Sequence, residues 1–338
     1  MNKNVLTLLN ENKLIIHGRY YFKDEIVCFD NVASGLEVKF FGTTLSILMN
    51  SYPRPRINPL YPMFTTLSIL IDDEKDPLKY NISVKSNELM EYLIIDNLEE
   101  KEHTVKIFKT DDPLISTFGI SNLKTDGIFL EIQDHYKLNI EVYGDSITSG
   151  GDNLIKDGKS LDVVPETGNG MATYATLAAL NLDANISVFS RCGLCLYPAN
   201  SFDTEIVVSK IYDKISPVTL LNWDLSKYNP NIITISLGTN DELGNQFTKD
   251  GFKDACSIFL NNLEKIYHKD LIFIFTYGYM NKNNDVEQAL IKLRGENLNK
   301  RIFLLKMPQA KIGHPTVEEH KVGALLLTSL IEEIMKLN

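Results

Sequence analysis

Glu141-Val-Tyr-Gly-Asp-Ser-Ile-Thr-Ser-Gly150 decides how the chain is read. A run of strand formers, Leu138 to Tyr143, stops at Gly144-Asp145-Ser146 and leaves a serine hydroxyl where a buried strand gives way to a turn or helix start. Open α/β sheets put their chemistry there, outside the carboxyl ends of their strands. Downstream, Ile186–Ser190, Ile232–Leu237, Leu271–Tyr277 and Ile302–Lys306 are mostly continuous apolar runs. Strands covered on both faces look like this. Helix-like segments lie between them: Met171–Leu180, Phe202–Ile215, Gly251–His268 and Val286–Leu293. Such alternation predicts a parallel sheet with right-handed crossovers. At the end of the chain Thr316-Val-Glu-Glu319 fits a capping box, with Ala324, Leu327, Ile331 and Ile334 as the apolar face of the helix that follows.

Upstream the rhythm differs. From Lys13 to about Glu131 short runs largely alternate with period two, as in Thr44–Met49, Thr66–Ile71, Tyr80–Val84 and His103–Phe108. Turn clusters such as Asp72–Pro77 separate them, which predicts an antiparallel sandwich or jelly roll. The change of rhythm places a boundary near residues 131–137, giving a β-sandwich domain over 1–133 and an α/β domain over 134–338. His17 and His103 sit inside strand patterns and read as structural. The Pro-rich stretch Ser51–Pro62 reads either as a surface loop kept extended by proline or as a loop leaning over a substrate.

Bulk properties narrow the function. A formal charge of −10 over 338 residues, with no dense Lys/Arg cluster, argues against a nucleic-acid partner. No run of about 18 apolar residues exists, so no membrane partner is expected. The N-terminal stretch does not read as a secretory signal, and four cysteines are sparse enough to suit a reducing compartment; the expected location is cytoplasmic. Cys192-Gly-Leu-Cys195 has CxxC spacing but no partner motif, so neither a metal nor another cofactor is expected.

Four segments at strand ends, or just before the last helix, carry Ser146, Gly193, Asn240 and His314. Nucleophilic acyl transfer needs an alcohol, a base for its proton and donors for the oxyanion. Serine, histidine, backbone N–H groups and an asparagine amide supply these. The surroundings of Ser146 lack a full G-x-S-x-G elbow, since Thr148 stands at the second glycine, which disfavours an ordinary α/β-hydrolase.

Gly144-Asp-Ser-Ile147, Gly193, Gly238-Thr-Asn-Asp241 and His314-Pro315 resemble the four sequence blocks of the SGNH (GDSL-type) hydrolase superfamily, in order, over about residues 138–337. A jelly-roll-like domain ahead of them resembles carbohydrate esterase family 2, the acetyl xylan esterase-like enzymes that deacetylate sugars. The resemblance implies a two-domain chain: an all-β sandwich, then a three-layer α/β SGNH fold with a parallel sheet. It makes Ser146 the nucleophile and His314 the base, with an oxyanion hole from the N–H groups of Ser146 and Gly193 and the side chain of Asn240. The implied substrate is a small-molecule or oligosaccharide acetyl ester. Asp145 and Asp241 read as local anchors, His320 as the lesser rival of His314, and Trp223 as core or sugar platform.

One position departs from the superfamily. Lys311 stands three residues before His314, where an aspartate usually orients the ring. The expectation is a Ser–His dyad, or another carboxylate or backbone carbonyl orienting His314. The alternatives are another SGNH hydrolase (lipase, lysophospholipase or thioesterase) and a catalytically weak glycan-binding protein.

Overall fold

Period-two alternation builds the first part of the chain, seen here in a computed structural model that describes residues 4–7, 11–55, 63–155, 167–199, 204–267, 270–281 and 283–336. Its strands are β1 (Asn4–Thr7), β2 (Leu14–His17), β3 (Tyr21–Lys23), β4 (Ile26–Phe29), β5 (Gly35–Gly42) and β6 (Leu45–Pro53). Then come β7 (Thr65–Ile71), β8 (Asn81–Val84), β9 (Met90–Ile95), β10 (Lys101–Lys109), β11 (Ser116–Thr125) and β12 (Ile128–Phe129). They form two antiparallel sheets, ordered β3-β4-β11-β6-β9 with β1 on β11, and β12-β5-β10-β7-β8 with β2 on β5. Leu36, Val38, Val105, Ile107, Leu67 and Ile69 from one sheet meet Val27, Phe29, Ile47, Met49, Phe118 and Ile120 from the other in one buried cluster. This is the sandwich that the alternation predicts. β1, β9, β11 and β12 escaped the sequence reading. In β11 the register with β6 shifts between Ile120 and Asn122, and a bulge of this kind breaks the alternation that pattern reading relies on.

Parallel pairing takes over after Phe129. The strands are β13 (Asn139–Gly144), β14 (Asn185–Ser190), β15 (Ile232–Ser236), β16 (Ile272–Tyr277) and β17 (Arg301–Lys306), in the order β14-β13-β15-β16-β17. The helices are α1 (Ser146–Ser149), α2 (Tyr174–Asn181), α3 (Val208–Ile211), α4 (Thr239–Glu242), α5 (Lys249–Ile266), α6 (Asp285–Glu296) and α7 (Val317–Lys336). Ile140 and Val142 pack with residues of α2 and α7, while Tyr143, Ile233 and Ile235 pack with residues of α3, α5 and α6. Both faces of the sheet are therefore covered, giving three layers. The next strand in sequence after β13 pairs on one side of it and the one after that on the other. β13 thus ends at the switch point of the sheet, where an open α/β fold leaves a crevice.

Two expected helices differ. Of the Phe202–Ile215 segment, Phe202 and Asp203 lie outside the described residues and only Val208–Ile211 is helical. Backbone N–H groups of Val208 and Ser209 donate to the carbonyls of Cys195 and Leu196, which draws this stretch alongside the preceding loop. The Met171–Leu180 segment is a 3₁₀ turn over Gly170–Ala172 and then α2, because Thr173 between them is extended and starts a new capping box with Thr176. Among the described residues, no helix is long and apolar enough to cross a membrane. Of the Pro-rich loop, residues 56–62 lie outside the described residues.

Polar and apolar contacts join the antiparallel and parallel parts. Val32, Ala33, Leu70 and Phe108 share a cluster with Ile140, Val142 and Met171. His17 Nδ1–H donates to Asn185 Oδ1 at 2.9 Å, and His103 pairs with Asp72 at 2.9 Å, so both histidines have structural partners. Arg19, fully buried, donates to Glu141 Oε1 at 2.8 Å, the Tyr143 hydroxyl at 2.9 Å and the Tyr212 carbonyl at 2.7 Å. Breaking one side of a buried pair leaves an uncompensated charge. Arg19→Met is expected to lower unfolding free energy by about 3–5 kcal/mol, read from the urea midpoint. Arg19→Met combined with Glu141→Leu is expected to recover much of that loss.

Candidate active site

The carboxyl end of β13 turns sharply into α1. Gly144 is needed at the corner, because a Cβ there would stand 2.0 Å from Thr148 Oγ1. The next residue, Asp145, caps the helix by accepting the Ile147 N–H on Oδ1 at 2.9 Å. Ser146 is the first helical residue, held at the switch point with its side chain 8% exposed.

His314 arrives from the other end of the chain. Its loop is fixed from three directions. Ala310 N–H donates to the Tyr279 carbonyl, and Lys311 N–H donates to Glu319 Oε1 at 3.0 Å. The expected capping box is present: Thr316 N–H donates to Glu319 Oε2 at 2.9 Å and Glu319 N–H donates back to Thr316 Oγ1 at 3.4 Å. His314 Nε2 then lies 2.7 Å from Ser146 Oγ. That is hydrogen-bond distance for a hydroxyl giving its proton to a ring nitrogen. His320, by contrast, is buried, accepts the Tyr174 N–H on Nδ1 at 3.1 Å and stacks on the Tyr174 ring. It is a packing residue.

Gly193 follows β14 with φ +76°, a left-handed conformation that favours glycine, and a Cβ there would meet nothing within 4 Å. Asn240 is the second residue of α4, where its Nδ2 donates to Asp145 Oδ2 at 3.2 Å and to the Leu194 carbonyl at 3.3 Å. Ser146, Gly193, Asn240 and His314 are thus carried by elements that converge on one end of the sheet. Asp241 accepts the Leu196 N–H at 2.9 Å and the Tyr197 N–H at 3.1 Å. With Asp145 it forms the pair of local anchors read from the sequence. Trp223 packs with Ile215, Leu225 and Tyr20.

Burial dominates the electrostatics. It pushes the Asp145 and Asp241 carboxyls each up to about 7, against the lowering effect of the N–H groups they accept. It also lowers the His314 ring below its ordinary value of 6.5, with Asp152 acting in the opposite sense. A base that stays neutral near neutral pH can take a proton from serine. Cys192 is held well above the usual thiol range, by burial first and by Asp112 next.

Two site residues escaped the sequence reading. Asp112, on the turn after β10, accepts the Cys192 N–H on Oδ2 at 2.8 Å, so the sandwich braces the backbone next to Gly193. Asp152, four residues beyond Thr148, lies with Oδ2 3.7 Å from His314 Nδ1. Lys311 is exposed. Gly150-Gly151-Asp152-Asn153 reads as a turn; its one signal was a carboxylate close in sequence to the serine. Among the described residues, no group of three or more His, Cys, Asp or Glu side chains has metal-binding geometry.

No family model matches the chain. The cellulase/esterase CelE of Acetivibrio thermocellus is 22% identical over 334 residues, a match covering 94% of this chain and 39% of the relative. The chain therefore spans well under half the length of that curated relative. A family two carbohydrate esterase from Clostridium thermocellum, solved in complex with cellohexaose, superposes with TM-score 0.83 at 21% identity, over 96% of this chain and 99% of the other. A family two carbohydrate esterase from Cellvibrio japonicus gives 0.84 at 19% identity over 99% and 98%. An acetyl xylan esterase from the rumen bacterium Butyrivibrio proteoclasticus gives 0.84 at 18% identity over 99% of each chain. At these identities the likeness is one of fold. Solved structures that this chain resembles include family two carbohydrate esterases, and it shares their fold: antiparallel sheets followed by a parallel α/β unit.

Proposed function

We propose that the chain is a serine esterase that removes acetyl groups from O-acetylated carbohydrate. The observation that carries this reading is the 2.7 Å contact between Ser146 Oγ and His314 Nε2 at the switch point of the sheet. The fold shared with carbohydrate esterases supports the substrate class. In the proposed reaction His314 Nε2 takes the hydroxyl proton as Oγ bonds to the acetyl carbon. The carbonyl oxygen becomes an oxyanion facing the N–H groups of Ser146 and Gly193 and the Asn240 amide. The bond from the acetyl carbon to the sugar oxygen then breaks, and the proton passes from Nε2 to that departing oxygen, giving the sugar hydroxyl. Water, deprotonated by His314, releases acetate from Ser146 by the reverse sequence.

Asn240 tests the oxyanion hole. Its amide hydrogens are engaged by Asp145 and Leu194 at 3.2 and 3.3 Å, so serving an oxyanion means exchanging one long bond for a charged acceptor. Asn240→Ala is expected to lower kcat about 10²–10³-fold with little change in KM, as for loss of one oxyanion donor. A comparable rise in KM with kcat unchanged would instead make Asn240 a binding residue. The function itself is tested by acetate release from acetylated xylo- and gluco-oligosaccharides. Release well above that of a Ser146→Ala variant is expected, together with a preference for acetyl over long-chain p-nitrophenyl esters. Release equal to that of the variant sinks the reading, and a preference for long chains points to a lipase-type hydrolase.

A further inference from the structure

We propose that Asp152, delivered by the turn that follows the nucleophile, is the positioning residue for His314 and replaces the acid absent at Lys311. The inference rests on the reading of Ser146 and His314 as nucleophile and base. The geometry has three independent parts. Asp152 Oδ2 is 3.7 Å from His314 Nδ1, the nitrogen on the far side of the ring from Ser146. The other oxygen, Oδ1, is buried without a hydrogen-bond partner among the described residues, so the carboxylate is not consumed by the fold around it. Buried carboxylate oxygens are normally satisfied, and an exception calls for a functional account. Finally, Asp152 adopts φ +54°, the left-handed region that Asp enters more readily than most residues with a Cβ, and its surroundings hold it there.

Those surroundings are specific. The side chain of Asn153, 2% exposed, donates to the carbonyls of Asn169 and Ala172 and accepts the Asn169 N–H at 2.9 Å. Leu154 N–H donates to the Thr167 carbonyl, and Gly151 N–H donates to the Ser146 carbonyl at 2.8 Å. The link to the histidine loop is direct: Val317 N–H, three residues after His314, donates to the Asn153 carbonyl at 3.1 Å. One turn therefore registers the nucleophile helix, the acid and the base loop against each other. At 3.7 Å the contact falls short of a hydrogen bond, and it tightens when the ring takes the serine proton and becomes positive. Active-site contacts are often longer before substrate binds. A carboxylate at Nδ1 then fixes the ring tautomer and stabilises the imidazolium, the role of the acid in a serine triad.

Asp152→Asn is the variant of choice, because asparagine tolerates the left-handed backbone and keeps the shape while removing the charge. Two measurements are made on the full chain. The first is an NMR titration of the His314 ring, assigned by comparison with His314→Gln. Besides Asp152 the ring meets the Ser146 hydroxyl and is electrostatically coupled to His320, and both are unchanged in this variant. Loss of the Asp152 charge is expected to move the His314 midpoint to lower pH. The second is p-nitrophenyl acetate hydrolysis, where kcat is expected to fall at least about tenfold, up to the roughly 10⁴-fold cost of removing a triad acid. Asp152→Glu is expected to recover part of the loss. An unmoved midpoint, or a moved midpoint with kcat unchanged in an active enzyme, overturns the inference. A moved midpoint in a chain whose wild type hydrolyses no ester leaves the Asp152–His314 pairing standing and removes the esterase reading.

Discussion

Ser146→Ala is expected to reduce ester hydrolysis by roughly 10⁵–10⁶-fold, the scale of nucleophile loss in serine hydrolases. The size follows from what the residue is asked to do. The hydroxyl is placed by a cap on one side, Asp145 to Ile147 N–H, and by a 2.7 Å contact to the base on the other. Alanine removes the atom that bonds to the acetyl carbon and leaves the rest of the site intact. Because Ser146 is 8% exposed and makes no packing contribution larger than a hydroxyl, the variant is expected to keep the wild-type urea midpoint within about 1 kcal/mol. Loss of activity with an unchanged midpoint is the signature of a nucleophile. A loss below about tenfold would mean that the hydrolysis runs elsewhere.

His314→Ala is expected to cost about as much, and the double variant Ser146→Ala/His314→Ala no more than either alone. Nucleophile and base act as one unit, so removing the second partner after the first has nothing left to take away. Additive losses would mean that His314 acts on something other than the Ser146 hydroxyl. His320 provides the contrast: its Nδ1 is occupied by the Tyr174 N–H and its ring packs against Tyr174 and Tyr279. Changing it is expected to lower stability without the same collapse in turnover.

Much of this was legible because the decisive signals are local. Gly144-Asp145-Ser146, Gly238-Thr239-Asn240-Asp241 and His314-Pro315 are short blocks at the ends of apolar runs, and the capping box at Thr316 fixes where the last helix begins. The sandwich was legible wherever alternation was regular, and β11 was missed where a bulge interrupts it. The helix expected over Phe202–Ile215 shrank to Val208–Ile211 because a backbone partnership with Cys195 and Leu196 outcompetes local propensity. Asp112 and Asp152 were illegible for a related reason. Each belongs to a turn without periodicity, and each acquires its role only when elements distant in sequence meet: β10 with the loop after β14, and the turn after α1 with the loop before α7. The position that looked like a vacancy at Lys311 is met, in space, by a carboxylate from another part of the chain.

The central claim is that His314 activates Ser146. Its most direct measurement is labelling of the full chain with a fluorophosphonate probe, followed by peptide mapping and repeated on His314→Ala. The account expects covalent modification at Ser146 in the wild type and a labelling rate lower by orders of magnitude in the variant. A wild-type chain whose Ser146 stays unmodified, or labels no faster than in His314→Ala, would contradict it.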